Sequence, residues 1–180
     1  MNSSRIAAVT AIAGVVFVSF LVIAHSRNVR HPTQSDPIKV GFQVGERAPD
    51  FELRSLNGDA LRLSSLRGQP VLLNFWGTWC APCRVEMPWL VQLDQAYRAQ
   101  GLQIVGVAMD SGATQEVALF ARQRGVEYHV LLGNSSIADD YGGVRFMPQS
   151  FFINRDGNIT KTTTGLTDKK DLEDGIKALL

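Results

Sequence analysis

The sequence is poor in cysteine, with only Cys80 and Cys83 among its 180 residues. Two cysteines this close together cannot form the set of bridges that holds a disulfide-rich domain together. They also supply only half of the four ligands of a structural zinc site, and His25, His31 and His129 are not spaced to complete it. The interpretation that remains is a local redox pair, for which we predict no metal and no other cofactor.

The sequence also lacks an excess of charge of one sign, since 18 basic and 17 acidic residues give a net charge of +1. Residues 1–42 carry four basic residues and one acidic residue, whereas the rest of the chain carries 14 basic and 16 acidic residues. A mildly acidic body has no basic face of the kind that nucleic acids require, so we expect no nucleic-acid partner. A hydrophobic share of 45% and a charged share of 19% are ordinary for a globular protein and exclude disorder of the whole chain.

One long hydrophobic run is present, because no charged residue occurs from Ile6 to Ala24. A helix of that length reaches about 28 Å, close to the ~30 Å hydrocarbon core of a bilayer. We therefore expect an uncleaved membrane anchor at residues 1–24, a polar linker at 25–43 and one folded domain at 44–180. A cleaved signal peptide is the alternative, although its hydrophobic region is shorter, at about 7–15 residues, and Ala24-His25-Ser26 is a poor cleavage site. Basic residues flank the run on both sides, so they do not decide its orientation.

From residue 44 onward, strand patterns and helix patterns alternate. A β-hairpin is expected around the turn Leu56-Asn57-Gly58-Asp59, and the almost continuously apolar stretch from Pro70 to Trp76 is typical of a strand buried on both faces. A helix should run from the cysteine pair to about Gln100, where Gly101 would end it. Further strands are expected at 102–109, 128–132, 150–154 and 159–164, and further helices at 114–124, 135–141 and 168–180. This order predicts an α/β sheet with an antiparallel edge.

The cysteine pair lies where the buried strand ends and the helix begins. The free N–H groups and the positive dipole end of a helix stabilise an anion, so they should lower the pKa of the Cys80 thiol and make it the nucleophile. Cys83, one turn further and more buried, should resolve a mixed disulfide by attacking Cys80. Pro82 should limit the turn and hold both sulfurs within bonding distance. Two unrelated buried thiols, or half of a metal site, are the alternatives to this redox pair.

Glu86 is the candidate proton partner of the resolving thiol. It lies three residues after Cys83, and residues at that spacing share a helix face. A carboxylate there could act as general base, and burial would raise its pKa into a range that suits the task. The alternative is a solvated charge on the helix surface.

At these residues the chain resembles the thioredoxin superfamily, and more narrowly the membrane-anchored TlpA/ResA/CcmG-like branch, ResA-type proteins in particular. The resemblance extends from about residue 44 to the C-terminus. The stretches that carry it are Ala48-Pro49-Asp50-Phe51, Leu61 to Gly68, Val71 to Cys83, Glu86-Met87-Pro88, Met147-Pro148 and Phe151 to Gly157.

The resemblance implies a thioredoxin-like fold with an N-terminal β-hairpin and a central helix–strand insertion, which fits our interpretation of Thr114–Leu132. It implies a domain anchored in the cytoplasmic membrane and facing the periplasm or the extracellular side. The implied activity is the reduction of client disulfides, typically those of apocytochrome c before haem attachment. Electrons would come from a membrane thiol carrier of the CcdA/DsbD kind. We expect a monomer.

Four further site residues follow from the resemblance. Pro148 is expected to have a cis peptide bond and to pack against the cysteine pair, with Met147 beside it. Asn74 occupies a position that is acidic in thioredoxin, so the proton relay of thioredoxin is absent and the task passes to Glu86. Trp79 is expected to shield Cys80 and to contact partners.

The chain departs from the ResA-type pattern at two places. A second acidic residue follows the strand that matches Leu102–Met109 in those proteins, whereas here Ser111 stands at the aligned position and Asp110 lies one place earlier. Gln149-Ser150 replaces the pair of threonines that commonly follows the proline, which affects the expected client contacts.

Three other functions use related sequences. A disulfide oxidase or isomerase of the DsbA kind would use the same two sulfurs, and only the reduction potential separates it from a reductase. A Sco-like copper module carries a Cys-x-x-x-Cys spacing and a distant histidine, and only His129 is available within the domain. A peroxiredoxin-like peroxidase carries a Thr-x-x-Cys pattern, in which Cys80 here would take the place of the threonine.

Overall fold

The computed structural model describes residues 44–112 and 114–180. Its strands are β1 (Glu52–Arg54), β2 (Ala60–Arg62), β3 (Val71–Trp76), β4 (Gln103–Ala108), β5 (His129–Leu132), β6 (Gln149–Ile153) and β7 (Ile159–Thr164). Its α-helices are α1 (Ala81–Tyr97), α2 (Thr114–Gln123), α3 (Ser135–Asp140) and α4 (Lys169–Lys177), with 3₁₀ turns at Leu63–Leu66 and Arg98–Gln100. The predicted anchor (1–24) and linker (25–43) lie outside the described residues. Within the part that is described, none of the helices has the length and hydrophobicity needed to cross a bilayer.

Five strands form one mixed sheet in the order β5-β4-β3-β6-β7. Strand β3 pairs in parallel with β4, and β4 pairs in parallel with β5, whereas β6 and β7 join antiparallel on the other side. This confirms the predicted α/β sheet with an antiparallel edge. All six residues of β3 are buried because both faces of the central strand are covered.

The predicted N-terminal hairpin is present as β1 and β2, which pair antiparallel over three residue pairs and form a small sheet of their own. The predicted helix–strand insertion at Thr114–Leu132 is also present, as α2 followed by the edge strand β5. Helix α1 continues into a 3₁₀ turn that ends at Gly101, whose φ of 93° lies in the left-handed region. That agrees with the predicted helix end, since glycine adopts this conformation without steric cost.

The alternation of side chains along β3 divides the core between the two faces of the sheet. Leu72 and Trp76 pack on one face with Met87 and Leu90 of α1, whereas Leu73 and Phe75 pack on the opposite face. Asn74 lies between Leu72 and Trp76, so it shares their face. The strand therefore directs one polar side chain towards the helix that carries the cysteine pair.

Candidate active site

The cysteine pair closes a disulfide at the junction between β3 and α1. Cys80 is the N-cap residue of α1, with an extended backbone (φ −79°, ψ 104°), and Ala81 and Pro82 occupy the first two helical positions. Proline is tolerated there because the first N–H groups of a helix have no partner within it. The end of the strand and the start of the helix thus hold both sulfurs at one edge of the sheet.

The electrostatic surroundings of Cys80 favour a negative charge on its sulfur. The backbone N–H of Cys83 donates to Cys80 Sγ at 3.2 Å, and the first turn of α1 has no acidic residue. After reduction, this donor and the positive end of the helix dipole would stabilise a thiolate at Cys80. In the disulfide form Cys80 is 4% exposed and Cys83 is 3% exposed. Cys83 is therefore the more buried of the two, as expected, but only by a small margin.

Glu86 is a buried residue of α1, with 1% of its surface exposed. The alternative of a solvated helix charge is therefore wrong. Its Oε1 accepts a hydrogen bond from Asn74 Nδ2 at 2.9 Å, and its Oε2 has no hydrogen-bond partner among the described residues. Burial raises the pKa of Glu86 to about 7, although the Asn74 hydrogen bond opposes the shift. A carboxyl group in this state can both accept and donate a proton near neutral pH.

Asn74 connects Glu86 to the neighbouring strand. Its Nδ2 also donates to Ser150 Oγ at 2.9 Å, and the antiparallel register places Ser150 directly opposite Asn74. Sequence reasoning assigned Ser150 no role, because the register between β3 and β6 cannot be read from either strand alone. The amide is thus held from two sides, which orients it towards the carboxylate of Glu86.

The loop before β6 brings the backbone of Met147 to the cysteine pair. The Met147–Pro148 peptide bond is cis, as expected, and Pro148 is buried. The carbonyl oxygen of Met147 lies 3.5 Å from Cys80 Sγ. Met147 therefore flanks the nucleophilic sulfur through its main chain.

Trp79 lies on the surface beside the disulfide. The residue is 63% exposed, and its ring approaches Gly77 so closely that a Cβ on Gly77 would lie 2.9 Å from the indole. Phe146, immediately before Met147, is 72% exposed. The contacts of the Trp79 ring with Gly77 place it over the loop before the cysteines. Its shielding of Cys80 stays a prediction.

A carboxylate that sequence reasoning left undecided holds the loop between β3 and Cys80. Asp110 accepts hydrogen bonds from the Thr78 N–H at 3.1 Å and from Thr78 Oγ1 at 2.5 Å. Arg84 Nε donates to the Thr78 carbonyl at 2.8 Å and so holds the same residue from the helix side. The parallel register of Trp76 with Ala108 brings Thr78 level with Asp110. That pairing is the signal that could have identified the contact.

These residues together can carry out thiol–disulfide exchange. Cys80 can attack a disulfide sulfur as a thiolate, and Cys83, one helical turn away, can then attack Cys80 and release the second sulfur. The thiol of Cys83 must lose its proton in that step. Glu86, buried and three residues further along the same helix, is the candidate to receive it.

The AhpC/TSA family model matches residues 44–162 of the chain. The chain is 35% identical over 141 residues to the thiol-disulfide oxidoreductase ResA of Geobacillus thermodenitrificans, covering 78% of this chain and 80% of that protein. It is 36% identical over 137 residues to the thioredoxin-like protein YneN of Bacillus subtilis, covering 75% of this chain and 79% of that protein.

Solved structures agree with these relatives. A thiol:disulfide interchange protein DsbE from Chlorobium tepidum superimposes with a TM-score of 0.72 at 36% identity, covering 77% of this chain and 99% of that one. The cysteine pair, its place at the helix start and these likenesses agree with one another. The chain therefore belongs to the AhpC/TSA family of thioredoxin-like proteins and is a thiol–disulfide oxidoreductase similar to ResA and DsbE.

Proposed function

We propose that the protein is an extracytoplasmic, membrane-anchored protein-disulfide reductase that returns oxidised client cysteines, such as those of apocytochrome c, to thiols during cytochrome c maturation. The observation that carries this proposal is the disulfide at the start of α1, with Glu86 buried in the same helix. The likeness of the domain to ResA-type proteins supports the reductive direction.

The proposed cycle uses Glu86 in both protonation states. The Cys80 thiolate attacks the client disulfide, a mixed disulfide forms and the client's leaving sulfur takes up a proton. Cys83 then gives its proton to the Glu86 carboxylate and attacks Cys80, which releases the second client sulfur. The protein ends oxidised and the client gains two electrons.

A dithiol donor restores the reduced pair. A donor thiolate attacks Cys80 of the disulfide, and the protonated Glu86 returns its proton to the departing Cys83 sulfur. The second donor thiol then attacks the mixed disulfide, which releases Cys80 as a thiolate and leaves the donor oxidised. A pKa near 7 suits a group that acts as base in one half-reaction and as acid in the other. We propose a membrane thiol carrier of the CcdA/DsbD kind as this donor.

A trapping experiment in intact cells tests the client class. Cys83→Ser removes the resolving thiol, so a mixed disulfide through Cys80 should accumulate. The matched control, Cys80→Ser/Cys83→Ser, should trap nothing. Recovery of apocytochrome c cysteines supports the proposal, whereas recovery of general folding substrates in their place contradicts the cytochrome role.

The redox equilibrium with glutathione tests the direction. A strongly reducing potential, nearer to thioredoxin's roughly −270 mV, supports a reductase, whereas a value near DsbA's roughly −120 mV would identify an oxidase.

The anchor is tested separately by removal of residues 1–24. The full chain should fractionate with membranes and the shortened chain should not.

A further inference from the structure

Three buried polar atoms on one side of the sheet have no hydrogen-bond partner among the described residues. They are Glu86 Oε2, Trp76 Nε1 and Tyr128 Oη. Buried polar groups are almost always paired, with protein or with ordered water. Trp76 and Tyr128 belong to one hydrophobic cluster, and Glu86 lies on the helix that contributes Met87 and Leu90 to it, so one explanation can serve for all three.

The sheet register brings these groups over the same short stretch of backbone. Asn74, which binds Glu86, pairs with Gly106 on β4. A Cβ on Gly106 would lie 2.9 Å from Trp76 Nε1 and 3.2 Å from Tyr128 Cε2. Because Gly106 has no side chain, the indole N–H of Trp76 and the ring of Tyr128 can lie close to its backbone. Both groups therefore lie near Asn74, which binds the Glu86 carboxylate.

Tyr128 lines a cleft on the protein surface, but its hydroxyl oxygen is buried. The residue is 8% exposed, and it lines an open cleft with Asp94, Arg98 and Glu127. Burial raises the pKa of Tyr128, and the charges of Glu86 and then Asp94 raise it further. The hydroxyl is thus influenced by the active-site carboxylate and by the cleft carboxylate.

We propose that the Tyr128 hydroxyl is the second hydrogen-bond partner of Glu86, which it contacts at Oε2 through one ordered water. Trp76 Nε1–H is the third ligand of this water, which matches the usual number of partners of a buried water molecule. The inference rests on the role proposed above for Glu86.

The bridge stabilises the carboxylate without a net transfer of protons. The water accepts from the Tyr128 hydroxyl and from the Trp76 indole N–H, and it donates to Glu86 Oε2. The proton that Cys83 gives to Glu86 stays on the carboxyl group until the dithiol donor opens the disulfide.

Other charged groups around this position are held by partners of their own. Asp94 is paired with Arg98, which also contacts Glu127 at 2.9 Å. Asp110 is bound to Thr78, Lys169 to Gln92 and Glu173 to Tyr97, and Lys161 is paired with Asp171. Arg84 donates to the Thr78 carbonyl and Arg124 to the Arg84 carbonyl. His129, which also lines the cleft, lies 3.3 Å from Gln103 Oε1 through its Nε2. Cys80 and Cys83 are the titrating groups on the active-site side once they are reduced.

Tyr128→Phe tests the proposal, because it removes only the hydroxyl. The reduced protein is mixed with oxidised glutathione, and the rate at which Cys83 resolves the mixed disulfide is followed against pH. The rate should rise as Glu86 loses its proton. Loss of a donor that stabilises the carboxylate should raise the midpoint by about half to one pH unit, so the rate near pH 7 should fall roughly two- to fivefold. The control Tyr97→Phe, whose hydroxyl bonds to Glu173, should follow the wild-type profile.

A Tyr128→Phe profile that superimposes on the wild type overturns the proposal. A uniform loss at every pH overturns it too, since that indicates a purely structural role. In the Glu86→Gln background, Tyr128→Phe should cause no further shift. The wild-type and Glu86→Gln profiles test the function proposed above, whereas Tyr128→Phe tests this inference alone.

Infrared difference spectra of the wild-type protein provide a measurement that does not depend on folding of the variant. The carboxylic C=O band of protonated Glu86 is identified by its loss in Glu86→Gln. A band at the position of a doubly hydrogen-bonded acid supports the water bridge. A band at the position of an acid with a single partner overturns it.

Discussion

Asn74 Nδ2 on β3 donates a 2.9 Å hydrogen bond to Glu86 Oε1 on α1, which joins the central strand to the helix of the cysteine pair. The amide stabilises the carboxylate but cannot exchange a proton with it, so Glu86 titrates alone. Burial outweighs this one neutral donor and raises the pKa of Glu86 to about 7. With asparagine on the strand, Glu86 is thus the only carboxyl group of this strand–helix pair.

Glu86→Gln should slow the resolution of mixed disulfides by Cys83 about 100-fold or more above pH 7, because the general base is lost. Below about pH 5 the variant and the wild type should converge, since Glu86 with a pKa near 7 is then protonated in the wild type and is no more a base than the glutamine amide. Rapid-mixing measurements of the second glutathione release across this pH range check the prediction. The control Asp174→Asn changes an exposed carboxylate on α4 that is paired with Lys170. A constant ratio of rates at all pH values would contradict the assignment.

The stability of the oxidised protein should also depend on Glu86. Its pKa rises from an ordinary 4.5 to about 7 on folding, so the folded state binds more protons than the unfolded state between these values. Stability therefore falls as pH rises from about 4.5 to 7, by at most about 3 kcal/mol. Glu86→Gln keeps an oxygen that can accept from Asn74 and cannot ionise, so this loss should disappear. Urea unfolding of both proteins at pH 4 and pH 8 measures the change. The same decrease in unfolding free energy in the wild type and in Glu86→Gln would contradict the prediction.

The sequence predicts the elements of this fold well because each carries a local signal. The apolar stretch before Cys80, the glycine after α1 and the turn at 56–59 identify their elements without knowledge of the tertiary structure. The pairing of Asn74 with Ser150, of Thr78 with Asp110 and the packing of Tyr128 over Gly106 depend on strand register. Register is decided by the whole sheet, so these parts of the site could not be predicted from either strand alone.

Asp110→Ala should destabilise the protein by about 1–3 kcal/mol, because it leaves the Thr78 N–H and hydroxyl without their acceptor. Thr78→Val removes only the hydroxyl and should cost less, about 1 kcal/mol. Denaturant unfolding of both variants with the disulfide intact shows whether Asp110→Ala loses more stability than Thr78→Val. Equal losses would mean that the backbone contact contributes nothing and that Asp110 holds only the side chain.

Pro88 lies inside α1 and has no N–H to donate to the carbonyl oxygen of Arg84, four residues earlier. That oxygen accepts a hydrogen bond from Arg124 Nη1 at 3.2 Å instead, and the same guanidinium lies over the Phe120 ring. Pro88 is exposed, so Pro88→Ala would restore the helical bond with little loss of packing. We expect it to stabilise the protein by roughly 1–3 kcal/mol.

A double-mutant cycle tests whether Arg124 replaces this missing bond. Arg124→Ala should cost about 1 kcal/mol more in the wild type than in the Pro88→Ala background, where the Arg84 carbonyl already has a helical donor. The contact with Phe120 is lost in both backgrounds, so it cancels from the cycle. Arg122→Ala, an exposed arginine of α2, should cost the same in both. Additive losses for Arg124→Ala would mean that its contribution comes from the aromatic ring and not from the carbonyl that Pro88 leaves free.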